Sequence, residues 1–402
     1  KKTDRTIPKN QLVSARPNVA SVLGFGVWLF LVEVVQMVVT KGIESKIERV
    51  FEYVDKKGIN FADKKGKRLS SSTIKTYTNV VKTYDNWLKE THGITVDRAK
   101  PRHAEEYLQM KIDNFKAGNG SAFTVKQFVH ALHAFREVSA KSGIFKHICN
   151  VGKKEKMLEM AKTQGVFRKA ADSHSMKANH SDWSKVQNAI GDRKSRYKDY
   201  VMNIHEAQRM LGLRVHEAVK MQAKDINFKE GTIKIVGKGG LTRFVKVQDK
   251  EYLHKLEALC KGKKGGSDVF RVQNRKGNPP SKKERQQIVQ EAIHQAAKSA
   301  GVNQNGKVYT THSARKAYAQ ERVNELKKLS EKQMENVFAK ACAENPKIAE
   351  KAKVALKHIR GKFENKENAA KRVLSKKEMI LFLVSCEIGH FRLDIMRYYV
   401  QY

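Results

Sequence analysis

Thr232 to Val236 and Arg243 to Val247 alternate in polarity or run β-branched, and Gly237, Gly239 and Gly240 lie between them. Two such runs around a glycine-rich turn predict an antiparallel hairpin. Elsewhere the apolar residues recur at helical spacing. Ile74, Tyr77, Val81, Tyr84, Trp87 and Leu88 fall on one helical face, and Phe128, Leu132 and Phe135 on another. The expectation is a mainly α chain with one small antiparallel β-sheet.

At 402 residues the chain is long enough for two or three domains, each with a core. Residues 1–61 read as an N-terminal extension, helical where Ile43, Ile47, Val50, Phe51 and Val54 recur. Residues 62–152 read as a small helical domain, entered through Ser70, Ser71 and Ser72 as helix caps and containing Pro101 near a helix start. Its aromatic residues read as core, with Lys and Arg on the opposite faces suited to phosphate contacts. Residues 153–182, with Lys153, Lys154, Lys156, Arg168, Lys169 and Lys177, read as a basic linker, and residues 183–402 as a second globular domain. Within it, Gln320 to Met379 is charged and rich in Ala, Lys and Glu, and is expected to be helical.

Lys and Arg number 80 against 41 Asp and Glu, a formal net charge of +39. So large an excess repels itself unless a polyanion neutralises it, and nucleic acid is the natural partner. Charge alone does not name a function, because ribosomal and chromatin proteins are equally basic. Cys149, Cys260, Cys342 and Cys386 form no C-x-x-C pair. They read as reduced, packed thiols in a cytoplasmic protein rather than a zinc ribbon. Val19 to Val39 is strongly apolar, near the length of a membrane span, and follows several Lys and Arg. Glu33 and Gln36 interrupt it. A buried packing or protomer-contact segment is the expectation, and membrane insertion is not.

Four short motifs carry chemistry. Leu213-Arg214-Val215-His216-Glu217 opens a helix with a guanidinium, and Glu217, one turn later, is placed to orient it. An ordinary i,i+3 surface ion pair is the alternative. In the hairpin, glycines let Lys238 sit at the tip, although a plain basic turn looks the same. His312-Ser313-Ala314-Arg315 puts an imidazole and a second guanidinium on one side of a helix that Thr310 or Thr311 caps. Gly389-His390 ends a helix, and Tyr398 and Tyr399 follow on a second short helix. Breaking and rejoining a phosphodiester without a high-energy cofactor requires a nucleophile, cations for the non-bridging oxygens and a general acid.

Each motif is common; their order is not. Together they resemble the tyrosine recombinase, or phage integrase, family, in which Arg, hairpin Lys, His-x-x-Arg, Gly-His and Tyr follow one another. Arg214 lies 24 residues before Lys238, and His390 nine before Tyr399, as in that family. The resemblance runs from about Trp183 to the C-terminus. More loosely it covers Ser72 to Ser142, which is similar to the family's core-binding domain. It implies that Arg214, His312 and Arg315 hold the scissile phosphate and that Lys238 protonates the leaving 5′-oxygen. His390 would support phosphate and nucleophile, and Tyr399 would attack to give a 3′-phosphotyrosine. Glu217 matches a supporting acidic position. Tyr398 and Tyr402 are rival nucleophiles, set aside because Tyr399 has the nine-residue spacing.

The implied function is site-specific strand exchange for a mobile element, through a Holliday junction. It implies double-stranded DNA as partner, a homo-tetramer on two sites, accessory DNA-bending proteins, no cofactor, no metal, and a cytoplasmic, nucleoid-associated setting. A catalytically silent DNA-binding regulator, a telomere resolvase and a type IB topoisomerase are the alternatives. One departure stands out. Arg315 and His390 are 75 residues apart, where the family needs about two dozen. The excess reads as a Lys-rich helical insertion near residues 325–376. The sequence also ends three residues after Tyr399, so any docking of a tail on a neighbouring protomer is expected to be weak or differently made.

Overall fold

The computed structural model describes residues 42–54, 69–167, 175–237, 240, 242–362 and 366–402. They fall into two units, Lys1–Arg168 and Lys169–Tyr402. The apolar segment 19–39 and Lys238 lie outside the described residues, as does part of the linker expected at 153–182.

The first unit is helical: α1 (residues 42–54), α2 (Ser71–His92), α3 (Pro101–Lys116), α4 (Ala122–Ser142) and α5 (Lys154–Thr163). Local chemistry sets the ends. The Ser70 hydroxyl accepts from the Thr73 amide at the start of α2, Gly93 closes that helix at φ 65°, and Pro101 opens α3. Tyr84, Tyr107 and Phe128 meet at the centre with ring centroids 4.8 to 5.2 Å apart. Burying one such ring contributes about 1.5–3 kcal/mol. Two segments join this core that were expected elsewhere. Ile47, Val50, Phe51 and Val54 of α1 are buried in it, although they were assigned to a separate extension. Met157 and Ala161 of α5 are buried in it too, although they were assigned to the linker. Helical spacing identifies an amphipathic stripe but not the core that covers it.

The second unit is mainly helical with a small sheet. α6 (His180–Gly191), α7 (Lys198–Leu211) and α8 (Val215–Val219) precede β1 (Ile226–Asn227), β2 (Thr232–Val236) and β3 (Thr242–Lys246). The sheet is antiparallel in the order β1-β2-β3, with Ile233 opposite Val245 and Ile235 opposite Arg243. Ile233, Ile235 and Val245 face inward, and Phe244 faces out. α9 (Lys250–Cys260), α10 (Lys282–Ser299), the short pair β4 (Asn303–Gln304) and β5 (Lys307–Val308), and α11 (Thr311–Lys327) follow. Val186, Ile190, Ile204, Leu256, Val289 and Ile293 fill the main core.

The expected insertion is helical. α11 runs into it, and α12 (Glu331–Glu344), α13 (Pro346–Arg360) and α14 (Lys366–Lys371) lead to α15 (Lys376–Glu387). It is not a detached lobe. Ala352 is buried with Phe382, Cys386 and Phe391, and Met334 with Val323, Ile380 and Val384. Among the described residues no helix is long and apolar enough to cross a membrane.

Candidate active site

Four elements converge where α7 gives way to α8. Gly212 ends α7 at φ 61°, and a Cβ there would lie 2.6 Å from a Tyr318 ring carbon. Both the left-handed turn and the close approach of α11 require glycine. Two residues later Arg214 caps α8. Glu217, at the third helical position, reaches back to accept from the Arg214 amide at 2.8 Å and from its guanidinium at 2.9 Å.

Glu217 also accepts both terminal nitrogens of Arg243, at 3.0 and 2.9 Å, and lies 3.6 Å from Arg315. Burial alone raises a carboxyl pKa. Here the hydrogen bonds and charge of Arg243, with the charge of Arg315, prevail and hold Glu217 at about 2. It is ionised throughout the physiological range. One carboxylate thus serves three guanidinium groups, so the cluster carries excess positive charge in a buried setting. An anionic phosphodiester is the kind of group that neutralises such an excess.

Arg315 is fully buried near the start of α11, whose cap is the Thr310 hydroxyl accepting from the His312 amide. Its guanidinium donates to the Gly212 carbonyl at 2.5 Å and to the Ile388 carbonyl, tying the α7–α8 turn to the end of α15. Its Nε is buried without a hydrogen-bond partner. Burial, with the Arg214 and Arg243 charges, pulls its pKa down to about 10.

The turn after α15 presents His390. Gly389 adopts φ 68°, and a Cβ on it would meet an Arg243 terminal nitrogen at 2.9 Å. The Ser385 hydroxyl donates to the Arg392 carbonyl at 2.6 Å and accepts from the Arg392 amide at 3.0 Å, closing the turn. His390 Nε2 lies 2.8 Å from the Tyr399 hydroxyl and 3.3 Å from an Arg214 terminal nitrogen. Arginine can only donate, so Nε2 carries the lone pair and the Tyr399 hydroxyl donates to it. Burial first, then Arg315 and Arg214, lower the His390 pKa to about 3. Burial and the Arg315 and Lys316 charges lower that of His312 to about 3. Both rings are therefore neutral. The Tyr399 ring packs edge-on against both imidazoles, at 5.1 and 5.2 Å, and under the Arg315 guanidinium at 5.8 Å.

Arg214, Glu217, His312, Arg315, His390 and Tyr399 are thus brought together. Tyr398 accepts instead from Arg397, and the half-exposed Tyr402 lies beneath Lys327 and Lys377. The sequence reading assigned no role to Arg243, although it stood in the hairpin motif. The signal was its inward register on β3, where the alternation that buries Val245 also buries an arginine. It also missed how the end of the chain is held. Lys177 donates to the Val400 carbonyl at 2.8 Å, and Gln320 exchanges two hydrogen bonds with the Gln401 backbone. Among the described residues no group of three or more His, Cys, Asp or Glu is placed to hold a metal ion.

Residues 180–334 match the model of the phage integrase family. That span contains Arg214, Glu217, Lys238, Arg243, His312 and Arg315; His390 and Tyr399 lie beyond it. The comparison with curated proteins gives no match. Among solved structures the chain is similar to a lambda integrase dimer bound to a COC′ core site, at 16% identity and TM-score 0.45, covering 68% of this chain and 87% of that one. It is similar to the XerH site-specific recombinase bound to a palindromic difH substrate, at 18% identity and TM-score 0.47, covering 72% and 86%. It is also similar to the Tn1549 transposon integrase in complex with circular intermediate DNA, at 13% identity and TM-score 0.42, covering 69% and 87%.

Proposed function

We propose that the chain, whose residues 180–334 match the phage integrase family model, is a tyrosine site-specific DNA recombinase. The observation that carries the reading is the Tyr399 hydroxyl 2.8 Å from a neutral His390 that also meets Arg214.

In this mechanism a DNA phosphodiester enters the cationic cluster. Arg214, Arg315 and His312 donate to its non-bridging oxygens, while Arg243 stays committed to Glu217 and keeps that carboxylate away from the phosphate. Tyr399 attacks phosphorus. Its proton passes to His390 Nε2 as the new P–O bond forms and the bond to the 5′-oxygen breaks. Lys238, which the sequence places between β2 and β3, supplies the proton that the 5′-oxygen needs. The product is a 3′-phosphotyrosine and a free 5′-hydroxyl. One phosphodiester replaces another, so the reverse attack by a 5′-hydroxyl reseals a strand without external energy. Strand exchange between two duplexes would proceed through a Holliday junction on a homo-tetramer. Integration or excision of a mobile element, with accessory DNA-bending proteins and in a nucleoid-associated setting, is the role this chemistry suits. The helical unit that holds residues 69–152 would grip the DNA flanking the cleavage site.

The test starts from duplexes selected from a random-sequence library for binding to the full chain. They are rebuilt as nicked half-sites, in which cleavage lets the short strand diffuse away. The expected result is a covalent protein–DNA adduct that survives denaturation. Binding without an adduct on any selected duplex would return the chain to the regulator reading.

A further inference from the structure

The helix α13 and the turn carrying His390 enclose a groove of about 1000 Å³. Lys347, Lys351, Val354 and Ile359 line it from α13, and Leu381, His390, Phe391 and Leu393 from the opposite side. Its surface is mostly apolar and its rim is basic. Lys347, Lys362 and Lys377, with Lys351 and Arg392 paired to Glu350 and Asp394, outnumber the two carboxylates of the lining, Glu378 and Asp394. Neither carboxylate is free: Glu378 accepts from Arg372 and Ser375, and Asp394 from Arg392. The α13 wall lies outside residues 180–334, so it is not part of the matched family segment.

We infer that this groove binds an unpaired nucleic-acid strand beside the scissile phosphate. The inference rests on the strand-cleavage reading and deepens it. Apolar walls and a cationic rim match the two faces of an unpaired strand, its bases and its phosphates. A duplex presents phosphates outward with its bases stacked inside, and cannot use an apolar wall. Phe391 closes the inner wall of the groove as a buried ring, with the Lys347 ammonium 5.1 Å from its centroid. The volume is at the top of the range of about 300–1000 Å³ typical of small-ligand sites, so it has room for several nucleotides. His390 lines the groove and also touches Tyr399, which puts the groove one side chain away from the reacting centre. Cleavage leaves a strand with a free 5′-hydroxyl that has to unpair before it can join another partner. The groove gives that strand a place to lie.

The test measures binding by fluorescence anisotropy, using a labelled oligothymidylate and a labelled hairpin duplex as probes. The protein is the full chain, unmodified or carrying Val354→Glu or Lys362→Glu. Both positions are exposed, so neither change disturbs a core. The expected result is single-strand affinity weakened by about tenfold, with duplex affinity changed less than about twofold. Equal loss for both probes, or no loss for either, would overturn the inference. A loss of self-association with unchanged binding of both probes would also overturn it, by assigning the groove to a second copy of the chain. Adduct formation is scored separately on half-sites. A chain that forms no adduct but shows the selective loss sinks the catalytic reading and leaves the groove assignment intact; the opposite pattern does the reverse.

Discussion

Arg243 lies inward on β3 and gives both terminal nitrogens to Glu217, at 3.0 and 2.9 Å, while its Nε donates to the Glu387 carbonyl at 2.9 Å. The sheet, α8 and the end of α15 are therefore joined through one guanidinium. Glu217→Gln would leave three guanidinium groups around a neutral amide. Breaking a buried pair from one side costs about 3–5 kcal/mol. Denaturant unfolding of the variant is expected to show a loss of that size, and adduct formation is expected to fall with it. A loss below about 1 kcal/mol would mean that Glu217 does not organise the cluster.

The same group predicts acid sensitivity. Glu217 is held at about 2 in the folded chain against an ordinary value of 4.5. A depressed carboxyl pKa contributes stability that is complete above the unfolded value and is lost as pH falls through the folded one. His312 and His390 are held at about 3 against 6.5. The unfolded chain takes up their protons first as pH falls, so it gains on the folded state. Unfolding free energy is expected to decline from near pH 6.5 downward and more steeply below pH 4.5. Glu217→Gln should flatten the lower part. A profile flat between pH 7 and 4 would contradict these assignments.

Gly212→Ala introduces a Cβ at φ 61° and 2.6 Å from the Tyr318 ring. Arg315 donates to the carbonyl of this same residue. Steric strain of that kind is expected to lower stability by more than about 1 kcal/mol. Adduct formation should drop further than global unfolding accounts for, because the turn carries Arg214 and anchors Arg315. A thermal melt and an adduct assay at the same temperature separate the two effects.

Lys238 belongs to the proposed chemistry through its place in the hairpin motif. If it donates the proton to the leaving oxygen, Lys238→Ala should slow cleavage by about 100- to 10,000-fold. A substrate with sulfur in place of the bridging 5′-oxygen leaves without needing that proton. It should be cleaved at nearly equal rates by the variant and the unmodified chain. A variant equally slow on both substrates would assign Lys238 to binding.

Much of this was legible in the sequence, for physical reasons. The β2–β3 hairpin showed because period-two alternation and a glycine turn are local. The start of α8 showed because Arg214 and Glu217 stand one helical turn apart, a spacing that is also local. What was hidden depends on tertiary placement. Arg243 reads as one more basic residue in a +39 chain, and only its register across from Ile235 reveals that it is buried. Helix α1 carries a clear apolar stripe, but the core that receives it is set by packing. The insertion read as a charged helical stretch, and its contact with the His390 turn runs through Ala352 and Phe391, which carry no pattern of their own.

The central claim is that Tyr399, hydrogen-bonded to His390, becomes joined to DNA. The most direct measurement is mass spectrometry of the peptide that retains nucleotide after a trapped half-site complex is digested with protease and nuclease. The expected result is a phosphonucleotide on Tyr399 alone, with Tyr399→Phe giving no adduct and Tyr398→Phe giving the normal one. Nucleotide on Tyr398 or Tyr402, or an undiminished adduct from Tyr399→Phe, would contradict the account.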